Sequence, residues 1–438
     1  MAIIGDTIFA VASGQPPCAI AIMRISGPDS FAAVTGMAGT LPAPRVAALR
    51  DIRDPETGDR LDRALVLAFP GPNSATGEDV VELHLHGGRA VITAVAAALG
   101  RVSGLRAAEP GEFTRRALTA GRIDLAEAEG LGDLLMATTE GQRRAAMASV
   151  EGVVSKAVGT WSARLLEISA EVEAALDFSD EDDVAASIGG KALTSIKDAV
   201  GALAEDLALV LSAPPVDRLH QGIKVVLAGP PNSGKSTLLN VLVQRDAAIV
   251  SPIAGTTRDR IEAAIVRDGI AYVLTDTAGL AEATDDPIEA IGIERARQSM
   301  AAADIQIWLG DAPLTEEGAS IWLWPRADVA GRVGGPPRSD GRLAVSAHTG
   351  EGIDALWIAI ARKANDLLPR VDQLALNQRQ RDCCLKCLKA LRDIESERDL
   401  LIVAELLRLA RHALDEITGV THVEAMLDAL FGRFCVGK

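Results

Sequence analysis

The sequence predicts a multidomain chain. An α+β amino-terminal region comes first, then a long helical stretch, an α/β domain on a phosphate-binding loop, and helices again. Three observations predict this order. Short apolar strands broken by Pro and Gly fill the early residues. Leu125 to Ser212 and Gln373 to Leu430 repeat apolar residues at three and four. Between them stands Gly229-Pro230-Pro231-Asn232-Ser233-Gly234-Lys235-Ser236, a G-x-x-x-x-G-K-S run.

At 438 residues the chain exceeds what one core serves, so two or three domains are expected. Hydrophobic residues reach 48% but aromatics only 3%, so the interiors must be aliphatic. The formal charge of -16 argues against a chain that grips nucleic acid alone, because phosphate contacts need Lys and Arg. Any RNA role must be local or shared with a basic partner. Five cysteines without disulfide spacing point to a reducing cytoplasm. Cys383, Cys384 and Cys387 crowd one stretch, but no second pair completes a zinc site, so they read as small hydrophobes. The first residues carry no basic n-region. No uncharged apolar run is long enough to span a bilayer, so no membrane role is expected.

In chain order, Thr7 to Ala12 and Ala19 to Ile25 read as strands. Val80 to His86 alternates, placing Glu82, His84 and His86 on one face and Val81, Leu83 and Leu85 on the other. The polar face could bind metal or line a pocket. Gly87-Gly88 favours the pocket, since backbone without side chains lets a ligand come close. Pro110 to Arg116 turns into a helix. Asp124 is placed to cap the next one. Asp177 to Asp183 is an acidic loop that reads as a solvated turn, and Pro214-Pro215 forms a linker.

The phosphate loop has the context it requires, a strand before it (Ile223 to Ala228) and a helix after it (Thr237 to Gln244). Asn232, Ser233, Gly234, Lys235, Ser236 and Thr237 would surround the phosphates. Backbone N–H groups and the helix terminus favour anions there. Lys235 reaches the terminal phosphates, and Ser236 offers its hydroxyl to Mg²⁺. Thr257, in the loop Ser251 to Asp259, can complete the Mg²⁺ shell. The strand Ala271 to Thr275 ends in Asp276-Thr277-Ala278-Gly279, where Asp276 holds the metal's water and Gly279 meets the γ-phosphate. Asp328 supplies a carboxylate for guanine's edge, and Ser346-Ala347 follows a strand as the last base-contact loop. This favours GTP over ATP. Proline at 325 has no amide, and Arg326 stands where a lysine usually flanks the base. Arg326 could stack over the ring as a cation.

These motifs, together with Thr7-Ile8-Phe9-Ala10, Arg24-Ile25-Ser26-Gly27, Thr76-Gly77-Glu78-Asp79, His86-Gly87-Gly88, Pro110-Gly111-Glu112-Phe113-Thr114, Gly292-Ile293-Glu294-Arg295-Ala296 and the ending Phe434-Cys435-Val436-Gly437-Lys438, resemble the MnmE (TrmE) family of tRNA-modification GTPases over nearly the whole chain. The resemblance implies an amino-terminal folate-binding and dimerisation domain at 1–120 and a discontinuous helical domain at 121–213 and 370–438. A Ras-like G domain at 214–369 would be inserted between the helical parts. It implies a 5-formyl- or 5,10-methylene-tetrahydrofolate contacted by Arg24, Glu82, Arg122 (a lysine in most of the family) and Lys438. It also implies K⁺ held by Asn232, Ser251, Ile253 and Thr256, with Glu289 orienting the attacking water. Cys435 is the family's terminal cysteine and is carried over as a catalytic candidate. The expected protein is a cytoplasmic homodimer that hydrolyses GTP. It would work with the FAD-dependent partner MnmG on the wobble uridine of tRNA, adding an aminomethyl or carboxymethylaminomethyl group. Other readings are a regulatory GTPase without an RNA role, against which the folate-like pocket stands, and a non-hydrolysing scaffold. Lys235, Ser236, Thr257 and Asp276 argue against the scaffold.

Overall fold

The computed structural model describes residues 5–177, 185–244, 262–277, 300–311, 320–330, 332, 341–370, 373–420, 431–432 and 437. The acidic run after Asp177 and the Gly292 to Ala296 motif lie outside them. The chain divides into two compact units. One is Met1–Gly132 with Asp415–Lys438, the other Asp133–Leu414.

The first unit is built on six strands: β1 (Thr7–Val11), β2 (Ile20–Ser26), β3 (Ala48–Arg53), β4 (Arg60–Phe69), β5 (Val80–His86) and β6 (Leu105–Ala107). They lie in the order β3-β4-β5-β2-β1-β6. Only the β1–β6 pair is parallel. Helices α1 (Ser30–Ala38) and α2 (Arg89–Arg101) pack against this sheet. Met23, Ile25, Val66, Val81, Leu83 and Leu85 form one buried cluster with Val34, Met37, Val95 and Leu99. Each such aliphatic side chain taken from water contributes about 2 kcal/mol. The alternation read in β5 is therefore real. Its odd-numbered residues are core, and Glu82 and His84 lie on the opposite face. At the β1 end that face is covered by Phe113 of α3 (Glu112–Thr119), which packs with Ile8, Ala10 and Ala108.

Helix α4 (Leu125–Met136) begins where Asp124 was placed as its cap. The Glu127 amide donates to Asp124 Oδ1 at 2.9 Å, and the Asp124 amide donates to Glu127 Oε2 at 2.9 Å. This reciprocal box satisfies two donors that a helix start leaves open. Phe431 packs with Leu125 and Ala128.

In the second unit come α5 (Glu140–Val150), α6 (Val153–Asp177), α7 (Ala185–Ser212) and the short α8 (Asp217–Gln221). Ile196, Val200, Leu203 and Leu207 of α7 are fully buried, and α7 packs on α6 and on α11 (Gln378–Ser396). Among the described residues one helical stretch, Leu193–Gln221, is long and apolar enough to cross a membrane. It carries Lys197, Asp198, Glu205 and Asp206, and its apolar face is the one packed here. The helical run read from Gln373 to Leu430 is two described helices, α11 and α12 (Leu400–Thr418). They are separated because the Glu397 and Asp399 side chains turn back onto nearby amides. Cys383, Cys384 and Cys387 are buried on α11. Burial pushes the Cys384 and Cys387 thiols up to about 12, so they act as packing groups.

The same unit holds a second six-stranded sheet: β7 (Ile223–Ala228), β8 (Glu262–Arg267), β9 (Ile270–Asp276), β10 (Ile305–Trp308), β11 (Ser320–Pro325) and β12 (Leu343–Val345). Its order is β12-β11-β10-β7-β9-β8, parallel except for β8. Helices α9 (Lys235–Gln244) and α10 (Ile353–Leu367) join its core through Leu238, Leu242, Leu356 and Trp357. Strand β7, first in sequence, sits between two later strands. The crevice at its carboxyl end is thus the switch point where such sheets bind ligands.

Candidate functional site

The loop from Gly229 to Ser236 leaves β7 at that switch point. Asn232 has φ 59° and Gly234 has φ 99°. Such angles turn successive amides to one side, and glycine takes them without strain. The helix was read from Thr237 but starts at Lys235, because the loop winds directly into the first turn. Lys235 is buried, and its ammonium donates to the carbonyls of Gly229 at 3.1 Å and Pro230 at 3.0 Å. Burial lowers its pKa from that of a free lysine, and the charge of Asp276 opposes this. The Ser236 hydroxyl donates to Asp276 Oδ2. Two buried oxygens here, Asp276 Oδ1 and Ser233 Oγ, have no hydrogen-bond partner among the described residues. A buried polar atom left unpaired is costly. A carboxylate beside a hydroxyl, with one lone oxygen, is the donor set a hard divalent cation takes.

Thr277, read as a nucleotide contact, here donates from its hydroxyl (2.8 Å) and its amide (3.3 Å) to Leu227 O. It fastens the end of β9 to β7 and faces the core. Ser251, Ile253, Thr256, Thr257, Ala278, Gly279, Glu289, Cys435 and Lys438 lie outside the described residues.

Beside the loop is a cavity of about 250 Å³ lined by Ser233, Gly234, Thr237, Leu323, Pro325, Arg326, Asp328, Val345, Ala347 and His348 among others. It joins the phosphate loop to both sequence-predicted base loops. Asp328 is oriented by Ser346, whose hydroxyl hydrogen-bonds its carboxylate; this bond, first among several, holds Asp328 below the usual carboxylate range. Ser346 Oγ also accepts from the amides of His348 (3.2 Å) and Thr349 (3.1 Å), so its proton is directed to Asp328. The Arg326 guanidinium donates to the carbonyl of Asn232. Arg326 therefore clamps the base loop to the phosphate loop.

In the first unit, the sheet face opposite α1 and α2 carries Arg24, Glu82 and His84. The register sets Arg24 opposite Glu82. The guanidinium binds Glu82 Oε1 through Nε (3.0 Å) and Nη2 (2.8 Å), and lies 5.7 Å above the Phe113 ring. His84 Nε2 sits 3.4 Å from Glu82 Oε2. Among the described residues no group of three or more His, Cys, Asp or Glu could hold a metal. Arg122 packs its Cγ near Gly77, bringing it to the Thr76 to Asp79 loop. That loop is held by charges the motifs did not reveal as a network. Arg116 bonds Glu78 (3.1 Å), Glu112 (3.0 Å) and Asp6 (2.7 Å), and Arg106 bonds Glu112 and Asp6. Burial alone would raise Glu112. The Arg106 and Arg116 guanidinium groups and the Glu109 amide more than reverse that and hold it low. Gly437 (φ 100°) lies against the backbone of Val11 so closely that no side chain fits, which places this one residue beside the end of β1.

Another constellation was missed. Gln142, 2% exposed, donates to the carbonyls of Leu219 (2.9 Å) and His220 (3.1 Å). Arg381 donates to those of Leu211 and Ala213, both at 2.7 Å. Together they brace the segment that leads into β7. Thr139-x-x-Gln142 is a capping-box pattern that could have flagged Gln142; nothing in the sequence marks Arg381.

Comparison with known proteins agrees with this layout. Residues 7–122 match the family described as GTP-binding protein TrmE N-terminus, and residues 125–435 match the MnmE helical domain. The chain is 53% identical over 434 residues to the tRNA modification GTPase MnmE of Erythrobacter litoralis, covering 99% of this chain and 100% of that protein. It is 50% identical over 440 residues to the protein of the same name from Novosphingobium aromaticivorans, covering 99% and 100%. The Rhizorhabdus wittichii protein so named is 52% identical over 435 residues, covering 99% and 97%.

Proposed function

The chain belongs to the MnmE family of tRNA modification GTPases, and from that premise we propose that it hydrolyses GTP at the β7 switch point to drive wobble-uridine modification. It is a GTP-binding, GTP-hydrolysing enzyme of tRNA modification. The observation that carries the site assignment is the unpaired Asp276 Oδ1 beside the Ser236 hydroxyl and the buried Lys235.

Ser236 and Asp276 would hold Mg²⁺, with Thr257 completing the shell. Mg²⁺ when bound supplies charge to the β- and γ-phosphate oxygens. Lys235 exchanges its two carbonyl partners for phosphate oxygens. The loop amides and the start of α9 orient the chain of phosphates. Asn232 fits a K⁺ ligand. It sits at the left-handed turn of the loop, and its side chain has no hydrogen bond among the described residues. Ser251, Ile253 and Thr256 would join it. K⁺ when bound supplies the positive charge that an arginine finger provides elsewhere. Glu289 orients the water. Asp328, Ser346 and Ala347 hold the base.

On the sheet face opposite α1 and α2, Glu82 and Arg24 would hold a 5-formyl- or 5,10-methylene-tetrahydrofolate, aided by Arg122 and Lys438. The folate when bound supplies a one-carbon unit, and Cys435 stands near the chain end that carries Lys438. We place the active form as a cytoplasmic homodimer assembled with the FAD-dependent MnmG partner, which would bring the basic surface for tRNA.

The test is GTP turnover in K⁺ against Na⁺, with Asn232→Ala and Lys235→Ala. K⁺ should accelerate the unaltered protein by about 10-fold or more, Asn232→Ala should abolish that difference, and Lys235→Ala should abolish turnover in both salts. Equal rates in the two salts would sink the cation assignment. Turnover surviving in Lys235→Ala would sink the site.

A further inference from the structure

We propose that the base cavity reads guanine through its Watson–Crick edge alone and is blind to N7. This rests on the GTP reading above and concerns which atoms of the base are recognised.

Guanine presents N1–H and N2–H donors, an O6 acceptor, and a second acceptor, N7, across the ring. Asp328 answers the two donors, and Ser346 fixes its carboxylate in place. The Ala347 amide answers O6. Ala347 lines the cavity, and its N–H has no partner among the described residues, whereas the amides of Ser346, His348 and Thr349 are all bonded within the loop. Three of these four polar features of the base are thus matched by Asp328 and the Ala347 amide.

N7 is different. Across the cavity from Asp328, we assign N7 to the wall at the end of β11, where among the described residues the lining is Pro325, which has neither an N–H nor a polar side chain. Arg326 follows, but its guanidinium is turned to the Asn232 carbonyl at the phosphate end. His348, which also lines the cavity, is a neighbour of the Asp328 carboxylate, and we place it with Asp328 at the Watson–Crick edge. Pro325 and Leu323 give N7 an apolar wall. An unanswered acceptor in such a wall gains nothing over carbon.

The experiment is competition of GTP, 7-deaza-GTP, ITP and ATP against labelled GDP on the full chain, repeated with Pro325→Asn. In 7-deaza-GTP a C–H replaces N7; in ITP the N2 amino group is gone. The expected result is 7-deaza-GTP binding within about twofold of GTP, and ITP weaker by about tenfold or more because one Asp328 oxygen loses its partner. Pro325→Asn should then bind GTP about tenfold better than 7-deaza-GTP. A tenfold penalty for 7-deaza-GTP in the unaltered protein, with GTP still preferred to ATP, would overturn this inference alone. ATP binding better than GTP would overturn the GTP reading as well.

Discussion

Glu112 stands between two guanidinium groups, and its behaviour can be worked out from that. It accepts from Arg106, Arg116 and the Glu109 amide, which hold its carboxyl below the ordinary 4.5. A group depressed on folding stabilises the folded state above its unfolded pKa and loses that contribution as pH falls through the folded one. The first unit should therefore keep its stability down to about pH 4.5 and lose it progressively below. Glu112→Gln should cost about 3 kcal/mol at neutral pH, because two guanidinium groups lose a charged partner, and should flatten the acid limb. Thermal unfolding followed from neutral to acid pH checks both; an acid limb as steep as that of the unaltered protein would reject the assignment. Asp124 was legible in the sequence as a cap because its partner, Glu127, is only three residues on. The Arg116 network was not, because Asp6 is 110 positions away and only the sheet brings it near.

Among elements, the segment from Leu211 to Gln221 decides how the nucleotide sheet is joined to the helices. Read from sequence it is a Pro-Pro linker. The structure ties it down on two sides, through Arg381 from α11 and Gln142 from α5. Asp217 also accepts from the Gln378 amide at 2.8 Å. Arg381→Ala should speed amide exchange across 211–221 by about tenfold, the loss of roughly one strong hydrogen bond, with little change in the sheet core. Exchange across that segment at the unaltered rate would show that Arg381 does not brace it. The strands and helices themselves were legible because their periods are short. β5 alternates over seven residues and α10 repeats over fifteen. The bracing was not, since a side chain aimed at a carbonyl in another segment leaves no period behind.

For the whole molecule, charge sets the terms. A net of -16 repels a phosphate backbone, and several arginines, among them Arg24, Arg101, Arg106, Arg116 and Arg332, are paired with carboxylates. The chain alone should bind tRNA weakly at physiological salt, with a shallow salt dependence, since few counterions are released. Filter binding from low to physiological salt checks this. Tight, steeply salt-dependent binding by the isolated chain would mean that its own surface carries the RNA and no basic partner is needed.

The multidomain fold, the strand–loop–helix setting of the phosphate loop and the family were legible in the sequence alone. Each depends on residues that are adjacent or regularly spaced, so the chemistry is written along the chain. Tertiary structure decided what depends on distance through space. It turned Thr277 inward, left one oxygen of Asp276 without a partner among the described residues, and paired Arg24 with Glu82 across two strands. It also spent Arg326 on the phosphate loop and left the Ala347 amide free. Hydrogen bonds and ion pairs act over a few ångströms whatever the separation in sequence, so only the folded chain determines which groups are used and which remain for a ligand.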